Sequence, residues 1–151
     1  MSVNLKQQLI EVCENYVEAR ISRALAGIKD LDEALKMESK SSADDKYETG
    51  RAMIHLEVDK LLLQLEQYKG LKKTLALAGH NRNSGIIGFG SVVKTSAANY
   101  FLSIPAGEIL LENEKFYAIG INSPIAQALL GKKEKENFIF NGNTNKILLV
   151  E

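Results

Sequence analysis

Neither of the chain's two prolines occurs before residue 105, and the first half carries a long apolar periodicity instead. Residues 2 to about 78 therefore read as helix, because proline removes an amide donor and breaks a helix interior. Apolar side chains recur at Leu5, Leu9, Cys13, Val17, Ile21, Ala24, Ile28, Leu31 and Leu35. From Ile21 the steps alternate three and four, which is a heptad seam; the repeated steps of four before it form a stutter. A second series runs through Tyr47, Ile54, Val58, Leu61, Leu65, Tyr68 and Leu75.

The two series match if the chain folds back on itself. Leu35 with Tyr47, Ile28 with Ile54, Ala24 with Val58, Ile21 with Leu61 and Val17 with Leu65 each sum to 82. That agreement predicts one antiparallel helical hairpin rather than helices from separate chains. Its tip is expected at about 37–45, where apolar periodicity stops, with Ser41 or Ser42 capping the second helix and Asp44 or Asp45 completing a capping box. Arms of roughly 34 residues would each be about 50 Å long at 1.5 Å per residue. Two helices cannot bury an extensive core over such a length, so most of the hairpin should face solvent or a partner. Gly27 and Gly50 each cost a helix about 1 kcal/mol relative to alanine; they could permit a local close approach or bend, although a weakly optimised helix is their plainer reading.

Gly79 and the polar residues that follow end the helix and predict a linker over 79–85. Beyond it the period changes. Strands are expected at Ile86–Val93, Asn99–Ile104 and Phe116–Ile119. A hairpin is expected from Asn137–Phe140 and Lys146–Val150, turning around Asn141-Gly142-Asn143-Thr144. One short helix lies among them, with Ser123 as N-cap, Pro124 in its first turn and Gly131 as its stop. The fold class is α+β: a hairpin domain over 1–78, the linker, and a small domain over 86–151 built from an antiparallel sheet and one helix.

Composition narrows the function. Lysine plus arginine equals aspartate plus glutamate, at 19 each, and the split is flat, with 12 basic and 13 acidic side chains in 1–78 and 7 and 6 in 79–151. A protein that grips nucleic acid through phosphates would show a clear basic excess, so direct sequence-specific nucleic-acid binding is not expected. A single cysteine, Cys13, excludes an internal disulfide, and it falls on the apolar seam as a core thiol. Cys13, His55 and His80 cannot supply a four-ligand zinc set without carboxylates. No stretch approaches the roughly 18 apolar residues of a membrane span, and the N-terminus lacks an apolar signal core, so the expected location is cytoplasmic. Neither a nucleophile motif nor a Gly-rich phosphate loop is present, and a free-standing hydrolase is not expected.

The segment Ile121-Asn122-Ser123-Pro124-Ile125-Ala126-Gln127-Ala128-Leu129-Leu130-Gly131-Lys132-Lys133 resembles, nearly residue for residue, the Asn-Ser-Pro-(Ile/Leu)-Ala-x-x-Leu-(Leu/Ile)-Gly-Lys segment of the bacterial Gre-type transcription elongation factors. Phe89-Gly90-Ser91-Val92-Val93 is similar to that family's entry into its first strand. The order of parts also matches over essentially the whole chain. The resemblance implies an FKBP-like C-terminal domain that docks at the rim of the RNA polymerase secondary channel while the hairpin reaches toward the active site. It implies partner-binding roles for Asn122, Ser123, Pro124, Ile125, Gln127, Lys132 and Lys133. In that family, acids at the hairpin tip help the polymerase hold a catalytic Mg²⁺ and cleave a backtracked transcript. Carboxylates suit that task because Mg²⁺ prefers hard oxygen ligands. Such a factor is an activator of another enzyme, with no cofactor beyond a metal shared with the polymerase.

The tip departs from the family. Aligned on Tyr47, the two family acids fall on Lys40 and Ala43, neither of which can coordinate a metal. The nearby acids Asp44 and Asp45 could substitute, although helix-start acids stabilised by capping and the helix dipole are their plainer reading. Lys40, Ser41, Ser42, Lys46, Tyr47 and Glu48 complete the tip; the lysines could meet polymerase or RNA, and Tyr47 is expected to pack against Leu35. The expectation is thus a monomeric, non-enzymatic polymerase-binding regulator that docks, with intrinsic stimulation of cleavage unsupported by the tip. The alternatives are a peptidyl-prolyl isomerase, which needs an aromatic-walled pocket, and a coiled-coil interaction adaptor.

Overall fold

The computed structural model describes residues 2–38, 44–80 and 84–151, and the side chains of these except 2–4, 38 and 44–48. Helix α1 (Ser2–Glu38) and helix α2 (Asp44–Ala78) are followed by β1 (Val92–Thr95), β2 (Asn99–Leu102), β3 (Gly107–Leu111), β4 (Glu114–Ile119), α3 (Pro124–Leu129), β5 (Asn137–Phe140) and β6 (Asn143–Val150). This is an α+β protein with two long packed helices ahead of a six-stranded sheet and one short helix. The chain forms two compact units, one of Met1–Tyr16 with Leu71–Glu151 and one of Val17–Gly70. The part of α1 up to Tyr16 and the part of α2 from Leu71 therefore belong with the sheet.

Among the described residues of the Val17–Gly70 unit, the buried side chains are Val17, Ile21 and Ala24 from α1 and Leu65 from α2. Gly27 faces Leu61 so closely that a methyl group on Gly27 would stand 2.9 Å from Leu61 Cδ1. In the other unit the Ile10 side chain reaches Gly79, with Cδ1 3.8 Å from where a Gly79 methyl would be. Numbers rise along α1 as they fall along α2, so the helices are antiparallel. The contacting pairs sum to 88 and 89, however, and not to 82. The register is shifted by about six residues from the one read in the sequence. Heptad spacing cannot fix it, because a slide of nearly one repeat again places apolar residues opposite each other. Gly27 also gains a cause: it is a point of close helix approach, where a larger residue would press on Leu61.

The sheet has the order β3-β4-β2-β1-β6-β5. Its pairings are antiparallel except β2–β4, which is parallel, with Tyr100 opposite Tyr117 and Leu102 opposite Ile119. An all-antiparallel sheet is corrected on this point. The cause is β3, a strand missed in the sequence, which lies outside β4 at the sheet edge. The loop 103–106 must carry the chain from β2 across two strand spacings, about 10 Å, and four extended residues reach about 13 Å. Strand β4 then returns into the gap, parallel to β2. Leu111 pairs with Glu114 around Glu112 (φ 48°) and Asn113 (φ 68°), a two-residue turn of the type that needs positive φ at both positions. Asn141 (φ 53°) and Gly142 (φ 79°) make the same turn between β5 and β6, tighter than the expected four residues, so Asn143 and Thr144 already pair and β6 begins three residues before Lys146.

The first strand is shorter than expected. Ile86 makes only an isolated bridge to Lys133, and residues 88–91 form a tight turn in which Ser91 N–H donates to Gly88 O at 3.1 Å. Gly90 occupies the third position with φ 88°, where a side chain would be strained. The sheet is buried on both faces. Val93, Leu102, Ile147 and Val150 form a core with Ala126 and Leu129 of α3, Ile87 and Phe138. Val92, Phe101, Phe116 and Ala118 alternate with that set and are equally buried. Leu9, Cys13, Leu75 and Ala78, from the helix ends of the same unit, are buried as well.

Candidate functional site

The segment singled out in the sequence folds as a tightly pinned loop and helix. Ser123 is extended (φ −69°, ψ 152°) and its Oγ accepts from Ala126 N–H at 3.3 Å, capping α3. The same hydroxyl donates to Gly120 O at 2.8 Å, and Ser123 N–H donates to that carbonyl at 3.1 Å. Gln127 Nε2 donates to Ile121 O at 2.7 Å. Residues 120–123 are thus held from both sides, and Pro124 starts the helix where a missing N–H costs nothing. Gly131, at φ 84°, stops it, and its N–H donates to Ile87 O at 2.9 Å.

This loop borders a cavity of about 380 Å³ lined by Leu71 and Thr74 of α2, Ser103, Ile104 and Pro105 after β2, and Gly120, Ile121, Asn122 and Ser123 after β4. Of the sequence-nominated residues, Asn122 and Ser123 line it. Pro124 is exposed beside it, Ile125 is partly buried against the α3 core, and Gln127 braces the loop from outside. Lys132 and Lys133 do not line it; their backbone is taken up by Ile87 and Ile86, the former through Ile87 N–H to Lys132 O at 2.8 Å. Sequence reading missed Leu71, Thr74, Ser103, Ile104 and Pro105. The one signal for them was Pro105, which marked a break after β2. Leu71 and Thr74 are more than thirty positions from the motif, and no local pattern connects them to it.

Among the described residues no lining side chain titrates, so these residues supply no general acid or base and the cavity is suited to binding. Its walls combine aliphatic side chains with the Asn122 amide and the hydroxyl residues Thr74, Ser103 and Ser123. Ser103, beneath it, is 3% exposed. The Cys13 thiol lies beside the Ser103 hydroxyl, yet the pair falls short of hydrogen-bond geometry and Ser103 Oγ stays buried without a full partner. Burial raises the Cys13 pKa to about 11, with Ser103 opposing that rise and Glu14 adding slightly to it. The thiol is therefore protonated and unreactive at neutral pH.

At the tip, Lys40, Ser41 and Ser42 lie outside the described residues. Helix α2 opens at Asp44, and the side chains of Asp44, Asp45, Lys46, Tyr47 and Glu48 also lie outside them. Among the described residues, no three His, Cys, Asp or Glu side chains are grouped as metal ligands. No described helix is long and apolar enough to cross a membrane.

No protein-family model matches the chain, and no curated protein sequence matches it. A solved structure titled "Structure of the transcription factor Gfh1" aligns over 93% of this chain and 92% of that one, with 19% identity and a TM-score of 0.33. A superposition this loose transfers neither residues nor activity.

Proposed function

We propose that this protein is an RNA polymerase-binding regulator of transcription elongation, docking by its C-terminal domain at the rim of the secondary channel and inserting its hairpin toward the active site. The observation that carries the reading is the Asn122–Gly131 segment, which resembles the Gre-type docking segment and is held by the Ser123 cap at the mouth of that partly aliphatic cavity. A cavity of that kind receives an apolar side chain of a protein partner, with Asn122 at its rim to fix orientation. Support also comes from the hairpin. Helix α1 has 37 residues, about 55 Å of helix. Met53, Leu56 and Leu63 are all more than 60% exposed on α2. Apolar residues left outside a seam suit a helix that becomes surrounded by a partner.

In this reading the protein acts as a cytoplasmic monomer without a catalytic centre or a metal of its own. Lys40 and Ala43 replace the acids that the cleavage-stimulating members place at the tip, so the protein occupies or modulates the channel and does not stimulate transcript cleavage. Binding to core polymerase, followed by competition with a cleavage factor, tests docking; no binding at micromolar concentration would end the proposal. Adding the protein to stalled elongation complexes tests the second part. Robust cleavage that disappears in Asp44→Ala/Asp45→Ala would reassign the tip as active.

A further inference from the structure

Within the Val17–Gly70 unit, Arg20, Arg23 and Ala24 of α1 face Leu61, Gln64 and Tyr68 of α2 around a small cavity of about 120 Å³. Its chemistry differs from that of the cavity above. Every polar group in the lining can donate a hydrogen bond: two guanidiniums, one carboxamide and one phenol. Among the described residues no carboxylate lines it, although the chain as a whole carries as many acids as bases. Arg20 and Arg23 are one turn apart on one face of α1, and Gln64 and Tyr68 are one turn apart on α2. Arg20 has a contact of its own within the protein. The side chains of Arg23, Gln64 and Tyr68 make no hydrogen bond or ion pair among the described residues. Ala24 and Leu61 give the cavity an apolar floor, which lowers the local dielectric and strengthens charge-assisted hydrogen bonds.

We infer that this cavity binds a single phosphate group, with the Arg23 guanidinium as its bidentate ligand, Gln64 and Tyr68 as neutral donors and Arg20 as supporting charge. A tetrahedral oxyanion presents acceptors in several directions and so matches donors converging from two helices, whereas a carboxylate presents two oxygens in one plane. The volume holds one such group and falls below the roughly 300 Å³ of sites for drug-sized ligands. The zero net charge and the absence of a basic tract argue for an isolated phosphate, free or at the end of a small ester, over a polynucleotide backbone. This inference does not depend on polymerase binding and is tested on the protein alone.

The test is a titration followed by two-dimensional NMR at constant pH and ionic strength, with sodium phosphate, glycerol phosphate, sodium acetate, sodium chloride and a short single-stranded RNA as separate probes. Saturable shifts confined to residues about 20–24 and 61–68 are expected with phosphate, and not with acetate or chloride. Glycerol phosphate binding as well as phosphate would identify the ester as an accepted source; failure to bind would restrict the site to the free ion. Arg23→Gln should weaken binding at least about tenfold, since it removes hydrogen bonds to a charged group. Arg23→Lys, which keeps the charge and loses the fork, should fall between the two. Unsaturable shifts, equal binding of acetate, unchanged binding by Arg23→Gln, or RNA binding tighter than phosphate would each overturn the inference. Arg23 is exposed, so its variants should fold as the parent does, and the unaltered part of the spectrum verifies this.

Discussion

The two units of this molecule stabilise themselves by different means. The Val17–Gly70 unit has two helices and, among the described residues, four buried apolar side chains: Val17, Ile21, Ala24 and Leu65. The unit that carries the sheet buries Phe101, Phe116, Phe138 and many aliphatic residues on both sheet faces. A seam between two helices gives each layer only a few neighbours, whereas a sheet covered on both sides surrounds its residues completely. Each core position in the sheet unit should therefore carry more energy than one in the seam. In the hairpin unit, local helix propensity should weigh comparatively more.

The comparison is tested most strongly by truncating one core residue from each unit. Phe101→Ala should lose about 3–5 kcal/mol in urea unfolding, and Leu65→Ala about 2 kcal/mol, at the low end of its class. Equal losses would break the distinction. Next in size is Ser123→Ala, which removes the α3 cap and should lower stability by about 1 kcal/mol. Under the proposed docking it should also weaken polymerase binding more than its stability cost explains, because the hydroxyl that donates to Gly120 O is removed.

In the helices, Gly70 has open space around it and Gly27 does not. Gly70→Ala should raise stability by up to about 1 kcal/mol, with Gly27→Ala gaining less because Leu61 must shift. A thermal melt of both variants sharpens the claim that propensity, and not packing, limits the Gly70 position. The smallest effect concerns pH. Cys13 has a folded pKa raised from 9.0 to about 11, so its contribution to stability is complete below pH 9 and is lost as pH rises through about 11. Thiol-reagent labelling should stay negligible in the native protein at pH 8, and rapid native-state labelling there would show that the helix ends open locally.

How much was legible follows the same division. The helix pair, its antiparallel sense and the Ser123-Pro124…Gly131 punctuation of α3 were visible because each is set by residues close in sequence or by a repeated spacing. The β5–β6 turn was visible at Asn141-Gly142 for the same reason, while the equivalent turn at Glu112-Asn113 was not, because glutamate rarely takes positive φ. Of the candidate site, Asn122 and Ser123 were found from a motif. Leu71 and Ser103 were not, because only folding brings α2 and the end of β2 to the same loop.

By itself, the sequence determined the helices and all the strands except β3, though not every strand boundary, and it placed the capped loop that supports the functional proposal. Those features depend on propensity, period and local hydrogen bonding, all written in neighbouring residues. Tertiary structure decided the helix register near 88, the insertion of β4 between β3 and β2, and the two cavities. Each of these compares alternatives with the same local pattern, and only the close packing of particular side chains, such as Leu61 over Gly27, separates them.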